Sequence, residues 1–66
     1  MNELDKLAHL LNHWKEHNKE HAGTYREWAV KAASLGRTDL AGILDRLYLE
    51  SMKMDKTFDE AIKKTG

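Results

Sequence analysis

His9, His13, His17 and His21 are all the histidines of the chain, and they fall four residues apart. The last three enclose two glutamates, so that His13-Trp14-Lys15-Glu16-His17 and His17-Asn18-Lys19-Glu20-His21 repeat H-x-x-E-H in tandem. On a helix, residues four apart stand about one turn above one another, near enough for neighbouring imidazoles to share a metal ion. A step of four also overshoots a turn by about 40°, so the ladder winds around the helix as it climbs. His9 then points to solvent, His13 and His17 lie on a flank, and His21 reaches the apolar stripe between Trp14, Tyr25 and Trp28. Four imidazoles on one straight helix cannot all meet one ion, but adjacent pairs can. His13 with His17, or His17 with His21, forms a two-nitrogen clamp to which Glu16 or Glu20 can add an oxygen. Asp55 and Asp59 of a second helix lie opposite this stretch and can complete the set. Such a mixture of imidazole and carboxylate suits Zn, Ni, Co or Cu. Of these residues, His13 and His17 are the pair most available to an ion. The carboxylate pairs Glu16–Glu20 and Asp55–Asp59 repel at i,i+4 unless a cation or a base sits between them.

The elements that must hold these groups are helices. The chain has no proline and is rich in Leu, Ala, Glu and Lys, all good helix formers. Asn2 is placed to cap a first helix, with Glu3 and Asp5 in its opening turn. Leu4, Leu7, Leu11, Trp14, Asn18, His21, Tyr25, Trp28, Ala32 and Leu35 then alternate spacings of three and four, a heptad stripe. Gly36 reads as the C′ glycine that stops it, and Thr38 as the N-cap of the next helix, with Asp39 in its first turn. A second stripe follows through Leu40, Leu44, Leu47, Ser51, Met54, Phe58 and Ala61, with Ile43 and Ile62 beside it, and Lys63 and Lys64 close the last turn.

The expected architecture is all-α: an antiparallel helical hairpin with helices at about 3–35 and 38–64, one domain over residues 1–66. Gly23 followed by Thr24-Tyr25-Arg26-Glu27 has the form of a stop glycine and a capping box. A break near residues 18–24 would instead give a three-helix bundle. The heptad keeps its phase across that stretch, which favours one continuous helix with Asn18 as a polar residue that sets register. Folding about residues 36–38 brings Tyr25 opposite Ser51, His21 near Met54 and Asn18 near Phe58. Leu4 and Leu7 overhang, and Tyr48, Leu49 and Met52 project outward. A hairpin of this size buries little on its own, so two are expected to pair as a four-helix-bundle homodimer.

Composition narrows the function. Eleven basic and eleven acidic residues cancel and are interspersed, so there is no basic footprint for nucleic acid or an anionic membrane. No cysteine is present, which removes disulfides, thiolate zinc sites and thiol redox chemistry. No apolar run approaches a membrane span and no leader resembles a signal peptide, so a cytoplasmic location is expected. H-x-x-E-H also marks a class of zinc peptidase in which the glutamate is the general base. Two long helices leave no room for the third ligand, oxyanion stabiliser and cleft that such chemistry needs. No Gly-rich phosphate loop is present, and no serine has a plausible base, so an enzyme is not expected and no organic cofactor is implied.

His13-Trp14-Lys15-Glu16-His17-Asn18, followed by His21-Ala22, Tyr25, Trp28-Ala29, Ala32 and Leu35-Gly36, resembles a small uncharacterised prokaryotic helical domain with an H-W-x-E-H-N…H-A-x-x-[YF]-x-x-W-A pattern. That pattern is loosely associated with proteins that handle nickel or related metals. The resemblance covers most of the first helix and the turn, and the second helix matches only as an amphipathic helix. Gly23 and Thr24 depart from the helix-favouring residues expected there. The resemblance implies that His13, His17 and His21, with Glu16, form the functional cluster. Two functional readings follow. The first is a small transition-metal-binding protein (a chaperone, store or sensor) using His13, His17 and His21 with Glu16, Glu20 or Asp55. The second is a metal-free helical interaction or dimerisation module, with a protein partner or a second copy as its target.

Overall fold

The computed structural model describes residues 2–66 as two helices, α1 (Glu3–Ser34) and α2 (Thr38–Thr65), folded into an antiparallel hairpin 51 Å long. No strand occurs among the described residues. Helix α1 runs unbroken through residues 18–24, as the heptad phase predicts, so the three-helix alternative is excluded. The Thr24 hydroxyl donates to the Glu20 carbonyl one turn earlier instead of capping a new helix. Such a bond is satisfied within a continuous helix and leaves Gly23 as an ordinary, if unfavourable, interior residue.

The first cap is as expected: the Asp5 backbone N–H donates to Asn2 Oδ1 at 2.8 Å. Gly36 has φ +77°, and the backbone N–H groups of Gly36 and Arg37 donate to the Ala33 and Ala32 carbonyls. These bonds satisfy carbonyls that the end of α1 leaves open. The start of α2 differs from expectation. Thr38 is already its first helical residue, and Arg37 stands at the cap position with no side-chain capping bond. Asp39 takes over, its carboxylate accepting from Arg37 Nε at 3.3 Å and Nη2 at 3.4 Å. The Arg37 guanidinium, then the backbone N–H groups of Leu40 and of Asp39 itself, hold the Asp39 carboxyl below the usual aspartate value.

The seam between the helices is built from small residues, and here the structure corrects the expected stripe. Buried on α1 are Leu11, Ala22, Ala29 and Ala32, and on α2 Ala41 and Ser51. Ala8, Lys15, Asn18 and Tyr25 fill the half-buried positions between them, so the inward line alternates threes and fours through 8, 11, 15, 18, 22, 25, 29 and 32. Leu7, Trp14, His21, Trp28 and Leu35 each lie one residue before this line or its continuation, about 100° round the helix, and all five are exposed. The three-residue turn at 35–37 explains the choice: it draws the two backbones together, and alanine and serine admit that approach where tryptophan and leucine do not. Tyr48 is corrected likewise. It is half-buried beneath Arg26, whose guanidinium lies 5.6 Å from the ring centre, whereas Leu49 and Met52 project outward as expected.

Polar contacts fix the register. Asn18 Nδ2 donates to the Ser51 carbonyl across the seam at 2.8 Å; a net contribution of about 1 kcal/mol is typical for such a bond. Lys15 Nζ lies 2.6 Å from Asp59 and 4.0 Å from Asp55, and Arg26 pairs with Asp45 at 3.2 Å. Asp45 and Asp59 each stand on the opposite side of the α2 seam from Leu40, Leu47 and Met54. One broad face of the hairpin therefore carries the ion pairs, with Val30 and Met52 exposed among them, and the other is the more continuously apolar.

Candidate functional site

All four histidines are exposed. His9 stands apart, as its angular position predicts. His13, His17 and His21 line one open hollow of ≈ 430 Å³ with Trp14, Asn18 and Phe58. Phe58 comes from α2, whereas Asn18 itself bonds the Ser51 carbonyl, seven residues earlier on that helix. A second, more apolar hollow continues along the same face, lined by Leu11, Trp14, Met54, Thr57, Phe58 and Ala61. The imidazoles thus border the apolar face of the hairpin.

Within the ladder the spacing is uneven. The His13 and His17 ring centres are 6.2 Å apart, those of His17 and His21 only 4.6 Å. Two imidazoles on one tetrahedral ion, with metal–nitrogen bonds of about 2.0–2.1 Å, place their ring centres roughly 5 Å apart. His17 with His21 therefore stands closer to a clamp than the His13–His17 pair that the angular reading favoured. The His21 ring in turn stacks on Tyr25 at 6.3 Å and 19°, which orients it along the helix. His21 does lie on the line of large apolar residues, but because that line is outside the seam, His21 is open to solvent and is not a core histidine.

The carboxylates expected to complete the site do not join it. Among the described residues, no three of His, Asp and Glu come together closely enough to hold an ion. Asp55 is engaged with Lys15, and Lys15 also bonds Asp59. The base that relieves the Asp55–Asp59 repulsion is this lysine. The Asp59 carboxylate that it bonds, with Asp55 and Glu16 adding attraction, pushes the Lys15 pKa above its ordinary value against a smaller opposing effect of burial. Glu16 and Glu20 are exposed on α1, and neither is brought into a three-ligand set with the histidines. Lys15 is the residue that reading the histidines alone misses. Its signal was present: it holds the step of four between Leu11 and Lys15 and of three to Asn18 in the inward line, and two aspartates one turn apart face it.

A family model described as a domain of unknown function (DUF8180) matches residues 7–65. An uncharacterized protein of Archaeoglobus fulgidus is 52% identical over 31 residues, which are 47% of this chain and 50% of that protein. The match therefore spans about half the length of that relative. No solved structure matches. Residues 7–65 take in the whole histidine ladder, the turn and nearly all of both helices, and on that extent the chain belongs to the domain-of-unknown-function family DUF8180.

Proposed function

We propose that this chain is a helical association module whose working form is a homodimer, two hairpins packed as a four-helix bundle. The observation that carries the reading is the open apolar face. Leu7, Trp14, Trp28 and Leu35 on α1, with Leu40, Leu47 and Met54 on α2, are between 38% and 77% exposed. They lie on one side of the molecule, while the other carries the ion pairs together with the exposed Val30 and Met52. The face runs along the 51 Å length of the hairpin. Apolar groups in that number need a cover. A second copy fits because its face has the same length, composition and charge. Neither helix has a backbone or side-chain arrangement of the kind acyl or phosphoryl transfer requires, and we assign the module no catalytic role. Among the described residues no helix is long and apolar enough to cross a membrane, and the absence of cysteine suits a reducing cytoplasm.

The second reading is transition-metal binding, and the 4.6 Å separation of the His17 and His21 rings favours it. Nickel, zinc, cobalt and copper all accept such a pair, and the loose association of the H-W-x-E-H-N pattern with proteins that handle nickel or related metals points the same way. Among the described residues one chain offers two well-placed imidazoles and no group of three ligands, so this reading stands behind association.

Sedimentation velocity over a range of concentrations tests the first reading. The wild-type chain is expected to sediment as twice its 7.6 kDa mass, and Trp28→Glu, which places a charge in the middle of the face, as a monomer that keeps its helical circular dichroism. A wild-type chain that remains monomeric at high micromolar concentration would overturn it.

A further inference from the structure

The apolar face has an internal symmetry that neither the helices nor the seam require. On α1 its members are Leu7, Trp14, His21, Trp28 and Leu35, a series that reads the same in both directions about His21: tryptophan seven residues away on each side, leucine fourteen. On α2 the line is Leu40, Leu47, Met54 and Ala61, evenly disposed about the midpoint between Leu47 and Met54. The two centres are level. Arg26 pairs with Asp45, Asn18 reaches the Ser51 carbonyl and Lys15 reaches Asp55 and Asp59, contacts that bracket His21 between about residues 48 and 52 of α2, around that midpoint. A face with matching centres on both helices is self-complementary under one operation, a two-fold axis that crosses the hairpin at His21 and lies in the plane of the face. Such an interface brings the same patch of both subunits together. The turns then lie at opposite ends, α1 stacks on α1 of the copy, Trp14 meets the copy's Trp28, and Leu7 meets the copy's Leu35.

We infer that His17 and His21 of two antiparallel copies form one shared site for a divalent transition-metal ion on this axis. The inference rests on the homodimer proposed above. His21 meets its own copy at the axis, and His17 follows one turn away with its ring centre 4.6 Å from that of His21. Each chain thus delivers one i,i+4 pair, and the two pairs together supply four imidazoles, the number that closes a tetrahedral shell. The missing third ligand within one chain is what such a site entails, because the copy provides it. The surroundings are imidazole and aromatic: Trp14 and Phe58 line the hollow, Tyr25 stacks behind His21, Asp55 and Asp59 are held by Lys15, and Glu16 and Glu20, next to His17 and His21 in the chain, are exposed on α1. Zinc, nickel, cobalt and copper are the ions such nitrogen ligands take. His13, with its ring centre 6.2 Å from that of His17, and His9 lie outside the site.

Two measurements on the full chain test this. Zinc is titrated by calorimetry into wild type, His21→Ala, His17→Ala and His9→Ala, with sedimentation of each before and after. Expected are one zinc per two wild-type chains and a loss of affinity of at least about 100-fold in either site variant, more than removal of a mere supporting partner causes. His9→Ala should bind as wild type. Because His17 and His21 are exposed in the hairpin, both site variants should keep their helical signal and still sediment as dimers. In parallel, His21→Cys, with no other cysteine in the chain, should oxidise to a disulfide-linked dimer across the axis, while His9→Cys should not. One zinc per chain, or binding unchanged in His21→Ala, would overturn the shared site while leaving the dimer intact. A dimer in which His21→Cys fails to cross-link would overturn the axis at His21. A chain monomeric both with and without zinc would overturn the association itself.

Discussion

Lys15 shows how one side chain can decide the chemistry of a whole face. It occupies an inward position of α1 where an apolar group is the usual choice, and reaches across to Asp59 and Asp55. It thereby neutralises two carboxylates that would otherwise repel one another and could have served an ion. The side of the hairpin carrying the aspartates thus holds the ion pairs, and His13, His17 and His21 border the other. Raising the folded-state pKa above the ordinary lysine value of 10.5 means that the contribution of Lys15 to stability is complete below 10.5. It is lost as pH rises through the raised value, when the ammonium gives up its proton. Lys15→Met is therefore expected to melt at a lower temperature than wild type at neutral pH, with the difference shrinking in melts recorded well above pH 10.5. An equal difference at both pH values would show that the ion pairs are not its origin.

At the scale of the element, two glycines with open space around them carry opposite predictions. Gly23 lies inside α1 and nothing approaches within 4 Å of a Cβ built there. Gly23→Ala is expected to stabilise the protein by about 1 kcal/mol in urea titrations, the helix-propensity difference between the two residues. Gly36 is equally uncrowded but has φ +77°. Gly36→Ala is expected to destabilise by about 1–2 kcal/mol, the cost of a left-handed conformation for a residue with a Cβ. A destabilised Gly23→Ala would mean that α1 turns at this glycine in solution. The N-terminus of α2 shows the same economy of parts: Arg37 and Asp39 bond each other at 3.3 and 3.4 Å at the position where a threonine cap was expected, and Thr38 is absorbed into the helix.

For the whole molecule, what matters is the division of labour between two faces. Small residues close the seam, charges close one side, and the large side chains remain outside. A hairpin on its own thus leaves its largest apolar groups in water, and the proposed pairing would cover them, at about 25 cal/mol per Å² of apolar surface removed from water. Mass action then makes stability depend on concentration. The melting temperature of the wild-type chain is expected to rise measurably over a hundredfold increase in concentration. That of Trp28→Glu should stay constant, as differential scanning calorimetry would record. A wild-type melting temperature independent of concentration would count against the dimer.

Much was legible from the residues alone, for local reasons. Helix type follows from propensity and from the absence of proline, the boundaries from Asn2 and Gly36, and the continuity of α1 from a heptad phase that no turn interrupts. The grouping of His13, His17 and His21 follows from their four-residue spacing. Which of two neighbouring stripes would be buried was decided by tertiary structure. Leu7, Trp14, Trp28 and Leu35 are the more hydrophobic set, yet a three-residue turn brings the helices so close that the buried positions fall mainly to Ala22, Ala29, Ala32, Ala41 and Ser51, with Leu11 buried far from the turn. Periodicity gives the angle of a stripe on its own helix and carries no information about how near the next helix will come. The same limit governed the ligands. Asp55 is the right residue at the right level for an ion, and only the approach of α2 to α1 placed Lys15 in front of it.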